Sequence, residues 1–241
     1  MAFIRTKKVN GKIYYALVEN HRVDGKVKQR VLKSFGTTKP NYNFDDEKGQ
    51  DKLQKILSLK NPQFPDGKFT IILADPPWQY SLRENDKSHR GRTNYPTMTS
   101  NDILKLPVKN LAQEDAYLFL WVTKDHLQLG LEVLEKWGFS YKNILTWVKV
   151  SKAGKIRIMT GHWGRNCTEF VLIGSRGKAK CFSSLGIRNI PTAFEAEVKG
   201  HSQKPTIPLL ERLCEVMPDA PKIELFAREP HSGWQVWGNE V

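Results

Sequence analysis

The sequence predicts an α/β domain on a mostly parallel sheet, preceded by a small antiparallel β domain. Three observations predict it. From Phe69 onward, strand-like apolar runs alternate with helical patterns, the signature of a sheet covered on both faces. One of those runs, Phe69 to Ala74, stops abruptly at Asp75-Pro76-Pro77-Trp78. The first forty residues instead hold strand-like runs joined at Asn10-Gly11 and Asp24-Gly25, dipeptides that favour tight hairpin turns.

The N-terminal part reads as three antiparallel strands, with Ile13 to Val18 and Val27 to Phe35 as the clearest runs. It predicts a domain over 1–42. Residues 43–66 read as a connector, with an amphipathic helix from Asp45 to Leu59 that Pro62 and Pro65 end. The main domain covers 67–241. Its predicted strands are 69–74, 116–122, 143–149, 169–174, 222–227 and 235–238. Its predicted helices are 100–106, 124–137 and 205–217. In the second helix Leu127, Leu131, Leu134 and Trp137 recur at helical spacing, and Gly138 stops it.

Charge narrows the function. The chain of 241 residues carries a formal net charge of +13, which attracts polyanions and argues for nucleic acid over small acidic metabolites. Residues 1–40 hold ten Lys or Arg against Glu19 and Asp24, and so carry +8 of that charge. No apolar stretch approaches the ~20 residues a membrane-spanning helix needs, and the basic N-terminus lacks the apolar segment of a secretory signal. Cys167, Cys181 and Cys214 fit neither a disulfide framework nor a zinc site, and the six His show no metal-ligand spacing. These features predict a cytoplasmic protein without a metal.

The run ending at Trp78 carries the chemistry. Two consecutive prolines have no backbone N–H, so the chain there presents acceptors without donors. It offers the Asp75 carboxylate, main-chain carbonyls and an aromatic plane. That set suits a planar ring bearing an exocyclic amino group: two acceptors for two hydrogens, plus a stacking face. For Trp78 the plainer alternative is core packing.

Asp75-Pro76-Pro77-Trp78 resembles the motif of the messenger-RNA N6-adenosine methyltransferase family and its bacterial and phage DNA relatives. The resemblance continues in order through Tyr95-Pro96-Thr97-Met98, Tyr117 to Thr123, Trp147-Val148-Lys149 and Thr160-Gly161-His162-Trp163. It closes with His201-Ser202-Gln203-Lys204-Pro205, Lys222 to Arg228 and Trp237-Gly238-Asn239. It spans roughly 67–241 and implies a Rossmann-like methyltransferase with permuted motif order, the catalytic strand preceding the cofactor strand. The implied cofactor is S-adenosylmethionine. Asp75, Pro76, Pro77 and Trp78 are the implied catalytic residues. Asp75, Lys204, Phe226, Arg228, His231, Asn239 and Glu240 are the implied cofactor contacts. Lys204 precedes Pro205, which reads as a helix start, where a cation and a helix N-terminus together suit the methionine carboxylate. On composition alone a solvated surface Lys would be the better reading. Two departures stand out: Ser232 follows His231 where relatives often have Asn, and Glu240 stands where Gln is common.

Two loops mix cations for phosphates with stacking groups. The first, 83–96, supplies Arg90, Arg92 and Tyr95, with Met98 beside it. The second, 152–166, supplies His162, Trp163 and Arg165. An ordinary basic surface loop is the alternative for each. His126 reads as a helix-surface residue rather than a catalyst. The leading expectation is N6-adenine methylation of nucleic acid, DNA favoured over RNA. The N-terminal segment, which resembles that of some bacterial transposases, adds weak support for DNA. A non-catalytic partner subunit is the alternative of a different class, since the family contains heterodimers with a degenerate member; a homo- or heterodimer stays open. The intact Asp-Pro-Pro-Trp and Lys204 argue against it. A pure DNA-binding module on residues 1–40 is a third reading. A nicotinamide enzyme is disfavoured because no Gly-x-Gly-x-x-Gly follows a strand, and N4-cytosine methylation ranks low because its motif usually has Ser for Asp and Tyr for Trp.

Overall fold

A computed structural model of the chain describes residues 2–9, 11–23, 26–38, 64–79, 97–161, 163–199 and 203–238. The chain divides into two compact units, residues 1–64 and 65–239. The expected connector helix lies outside the described residues.

In the first unit β1 (Ala2–Val9), β2 (Lys12–Val23) and β3 (Lys26–Gly36) form an antiparallel sheet in chain order. Val9 pairs with Lys12 across a tight hairpin turn that contains Gly11. Gly11 sits at φ +77°, the backbone that such a turn demands and that glycine adopts without strain. Leu17 and Val18, at the centre of β2, are fully buried. Lys7, Lys8, Lys12 and Arg30 are exposed.

The second unit is built on seven strands: β4 (Phe69–Ala74), β5 (Ala112–Val122), β6 (Ser140–Val150), β7 (Thr168–Arg176), β8 (Ala193–Glu197), β9 (Lys222–Leu225) and β10 (Gln235–Trp237). Their order across the sheet is β10-β9-β4-β5-β7-β6-β8. All run in one direction except β7, which is antiparallel to both β5 and β6. The helices are α1 (Ser100–Lys105), α2 (Val108–Leu111), α3 (Leu127–Lys136) and α4 (Pro208–Val216), with 3-10 turns at Lys124–His126 and Phe182–Leu185.

Burial follows the strand alternation. On one face Tyr117, Phe119, Trp121, Leu145, Trp147, Val171 and Ile173 pack with Leu209, Leu210 and Leu213 of α4. On the other face α3 lies close against the sheet. An added Cβ at Gly130 would stand 2.5 Å from Val122 Cγ1, and one at Gly174 would stand 2.7 Å from Leu134 Cδ2. Glycine at these two places is what lets the helix approach the strands. Trp137, fully buried at the end of α3, donates its indole N–H to the Ile103 carbonyl at 3.0 Å.

Three expectations need correction. Strict strand–helix alternation fails after α3, because β6 and β7 form a hairpin and β8 is an additional edge strand. Periodicity reports burial but not strand direction, so the reversed β7 was not visible. The expected helix at 205–217 begins at Pro208 instead, with Ile207 as its cap. Proline is favoured in the first helical turn, where its missing N–H has no partner anyway, and the chain uses the second proline for this. Lys204 therefore lies in extended chain before the helix, not at its N-terminus. Third, His126 is buried rather than on a helix surface.

Candidate active site

Asp75 is the first residue beyond β4. Its N–H donates to the Leu225 carbonyl at 3.4 Å, which ties the motif to the neighbouring strand β9. Ile71 and Leu73 pack with the face-one core, and Asp75 continues that alternation. Glu224 pairs with Leu73 in register and so projects on the same face. The carboxylates of Asp75 and Glu224 thus meet where β4 and β9 end, the place where open α/β sheets bind ligands.

The two prolines shape the corner. The Trp78 N–H donates to the Pro76 carbonyl at 2.8 Å, and the Met98 N–H donates to the Pro77 carbonyl at 3.0 Å. Each carbonyl has two lone pairs, so the Pro76 oxygen keeps a second acceptor position beside Asp75. Met98 bridges Trp78 in a parallel pairing, which places it at the motif.

Trp78 takes a different part from the one expected. Its ring is 4% exposed, stacked on His126 with centroids 5.4 Å apart, and its N–H donates to the Trp121 carbonyl at 3.0 Å. An aromatic plane so enclosed braces the corner and does not offer a free face to a base. His126 completes the brace. Its Nε2 donates to the Gln79 carbonyl at 3.0 Å, since a carbonyl only accepts, and its Nδ1 lies 2.8 Å from the Thr123 hydroxyl.

Lys204 comes to the same face. Its Nζ lies 3.5 Å from Asp75 Oδ1, 2.5 Å from Glu169 Oε2 and 5.1 Å from the Trp121 ring centroid. The other Glu169 oxygen takes Lys149 Nζ at 2.5 Å, and that ammonium lies 5.0 Å from the Trp147 ring centroid. Burial raises the Asp75 pKa above the usual carboxylate value. Lys204 and Arg228 pull it down and Glu169 pushes it up. Glu169 is also desolvated, yet Lys204 and Lys149 hold it below the usual range. Glu224 is pushed up by burial, with His231 opposing and Asp75 reinforcing.

Beyond β9 the chain turns at Phe226, which has φ +66°. A bulky residue in the left-handed region is strained. Its ring meets Trp237 edge-on at 5.2 Å, and the Ala227 N–H donates to the Trp237 carbonyl at 3.0 Å. His231 Nε2 lies 3.0 Å from Glu224 Oε2. The structure thus gathers Asp75, Lys204, Phe226, Arg228 and His231 around the ends of β4 and β9. This donor set fits S-adenosylmethionine: a cation for its carboxylate, carboxylates for its ammonium and ribose hydroxyls, and aromatic surface for its adenine. Arg90, Arg92, Tyr95, His162, Asn239 and Glu240 lie outside the described residues.

Trp163 and Arg165 come from a different segment. They belong to the loop of the β6–β7 hairpin, where Ile156, Ile158, Met159 and Trp163 are exposed among Lys152, Lys155, Arg157 and Arg165. Trp163 is wholly exposed. The loop reaches the cluster through Met159, whose sulfur lies 3.8 Å from Lys149 Nζ. Glu169, Lys149 and Glu224 were not among the expected site residues. Each is a charge inside a strand pattern, which is costly unless paired; Lys149 and Glu224 also stand inside the motifs quoted for the resemblance.

Comparison with known proteins bears on the family. Residues 69–240 match the MT-A70 family, and residues 4–56 match the IS1634 family transposase N-terminal domain. The chain is 31% identical over 197 residues to a Type II methyltransferase, M.MunI, of a Mycoplasma species, covering 75% of this chain and 81% of the relative. It is 37% identical over 182 residues to a probable N(6)-adenosine-methyltransferase MT-A70-like protein of Oryza sativa, covering 73% of this chain and 23% of the relative. It is 34% identical over 182 residues to the human N(6)-adenosine-methyltransferase catalytic subunit METTL3, covering 73% and 28%. The chain thus spans about a quarter of these plant and human relatives but most of the Mycoplasma one. With the motif intact at the sheet's carboxyl edge, the chain belongs to the MT-A70 family of S-adenosylmethionine-dependent N6-adenine methyltransferases.

Proposed function

We propose that this chain methylates N6 of adenine in nucleic acid, with DNA as the preferred substrate. The observation that carries the reading is the Asp75 carboxylate at the end of β4, beside the Pro76 carbonyl and 3.5 Å from Lys204. S-adenosylmethionine, when bound, supplies a methyl group on a sulfonium. The chain's own residues do the rest. Asp75 and the Pro76 carbonyl accept the two amino hydrogens and hold the nitrogen lone pair toward the methyl carbon. With the cofactor bound, the methyl would pass from sulfur to nitrogen, S-adenosylhomocysteine would be the leaving group, and the proton shed by the nitrogen would go to solvent. Asp75, its basicity raised by burial, stabilises the positive charge that grows on nitrogen. Much of the remaining rate comes from in-line placement.

Lys204 is assigned to the methionine carboxylate. Lys204→Ala should weaken cofactor affinity by about 1.5–3 kcal/mol, the range for a hydrogen bond to a charged group. Calorimetry with S-adenosylhomocysteine checks this, and unchanged affinity would refute the assignment.

Two things support DNA: the likeness along most of a Type II methyltransferase, and the basic N-terminal unit with its similarity to a transposase domain. The identity to adenosine methyltransferases favours RNA as a second reading. Incubation with labelled S-adenosylmethionine and matched single-stranded DNA, duplex DNA and RNA separates them, once the labelled nucleoside is identified. We also propose that the family's permuted motif order applies here; the Asp75 strand precedes β9 in the chain and lies beside it in the sheet. For the N-terminal unit, the triple change Lys7→Ala, Lys8→Ala, Lys12→Ala should flatten the salt dependence of duplex binding. Each lost phosphate contact lowers the slope of log K against log salt by about 0.9. An unaltered slope would remove these lysines from the interface.

A further inference from the structure

Four charged side chains form a chain across the described site: Lys149, Glu169, Lys204 and Asp75. Their side chains are 10%, 15%, 20% and 22% exposed in that order, so all four charges are largely enclosed. Lys204 does not stand midway between its two carboxylates. It lies 2.5 Å from Glu169 and 3.5 Å from Asp75. β7 delivers Glu169 to this place, Lys149 anchors its other oxygen, and the ring of Trp121 lies beneath the Lys204 ammonium.

This asymmetry matters for the chemistry under "Proposed function", on which the inference rests. Asp75 must offer its lone pairs to an amino group. An ammonium fully paired with it would occupy an oxygen and reduce its basicity. We propose that Glu169 is a positioning residue that draws Lys204 away from Asp75, so that the catalytic carboxylate stays open to the adenine amino group. Lys204 is thereby kept beside the motif for the methionine carboxylate without closing the acceptor. Glu169 touches none of the reacting atoms; it acts by holding Lys204 and by its own charge near Asp75.

Among the described residues, the groups facing Asp75 are Lys204 from the segment before α4, Glu169 from β7, Glu224 from β9 and Arg228 beyond it. Among them Glu169 raises the Asp75 pKa and Lys204 lowers it. Removing the Glu169 charge therefore lowers that pKa twice over: the raising charge is lost and the lysine comes closer. Activity that needs ionised Asp75 then persists to lower pH, but at a lower plateau.

The test is Glu169→Gln in the full chain, read by kcat, the acid limb of the pH–rate profile and S-adenosylhomocysteine affinity. The expected result is a kcat lower by roughly 10–100-fold, an acid limb displaced to lower pH, and cofactor affinity equal to or tighter than that of the parent. Glu169→Asp, which keeps the charge one methylene back, should recover part of the rate and return the limb toward its original place. An unmoved limb, or a limb moved to higher pH, overturns the proposal. So does a loss confined to cofactor affinity and stability, which a merely structural ion pair would give. If the parent chain methylates no adenine, the functional reading fails by itself, before either variant is compared.

Discussion

Asp75→Ala is expected to lower kcat by about 10²–10³ while the protein stays folded and still binds cofactor. That is the usual cost of removing one preorganised electrostatic contact from a transition state. The expectation follows from position. Asp75 follows a buried strand, takes its place from a backbone bond to Leu225, and precedes the Pro76 carbonyl, which keeps a second acceptor position. Alanine deletes the carboxylate and leaves that backbone unchanged. It also leaves Lys204 with Glu169 as a partner, so no ammonium is stranded. Single-turnover kinetics with saturating cofactor measure the chemical step alone. A folded variant turning over at near the parent rate would take the carboxylate out of the mechanism.

Trp78→Ala is expected to cost about 3–5 kcal/mol of stability, the range for truncating a buried Trp. Three attachments are lost together: the enclosed ring, its stacking on His126, and the N–H bond to the Trp121 carbonyl. The Trp121 carbonyl loses its indole partner, which adds to the loss. Trp78→Phe should retain much of the packing and forfeit the hydrogen bond, so it should fall between the parent and Ala. Urea unfolding with a constant m-value gives the difference. If Trp78→Ala unfolds at the parent midpoint and loses only affinity for nucleic acid, the ring's task is base stacking after all.

These two residues show what the sequence made legible. The apolar run before Asp75 predicted both the strand and its abrupt end, because proline chemistry is local and unambiguous. Asn10-Gly11 predicted its hairpin for the same reason: glycine at φ +77° is a property of one residue. The fate of Trp78 was not legible. Whether an aromatic ring faces a ligand or the core depends on His126 and Trp121, which lie 48 and 43 positions away in sequence. Glu169 was hidden more deeply. Nothing in Cys167-Thr168-Glu169-Phe170 marks a partner for two lysines on other elements, and only the register of Trp147 with Glu169 reveals the pairing. Lys204 was legible by its motif, but its setting was not. Pro205 and Pro208 are equally good helix openers on paper, and the packing of Leu209, Leu210 and Leu213 decides between them.

The reversed direction of β7 has an engineering consequence. Because it runs backward, its first residues, not its last, reach the edge where β4 and β9 end. The polar interior of the site therefore depends on where a hairpin closes, and the two sides of Glu169 tolerate length changes differently. An extra residue in 152–160 lengthens an exposed loop and leaves the pairing of Trp147 with Glu169 intact. An extra residue between Phe170 and Val171 shifts the strand's start by one step. That step would turn the carboxylate to the α3 side and carry an aromatic ring to the lysines, since strand faces alternate at every residue. Segment swaps between relatives should accordingly be joined in the loop and never within the first three residues of β7.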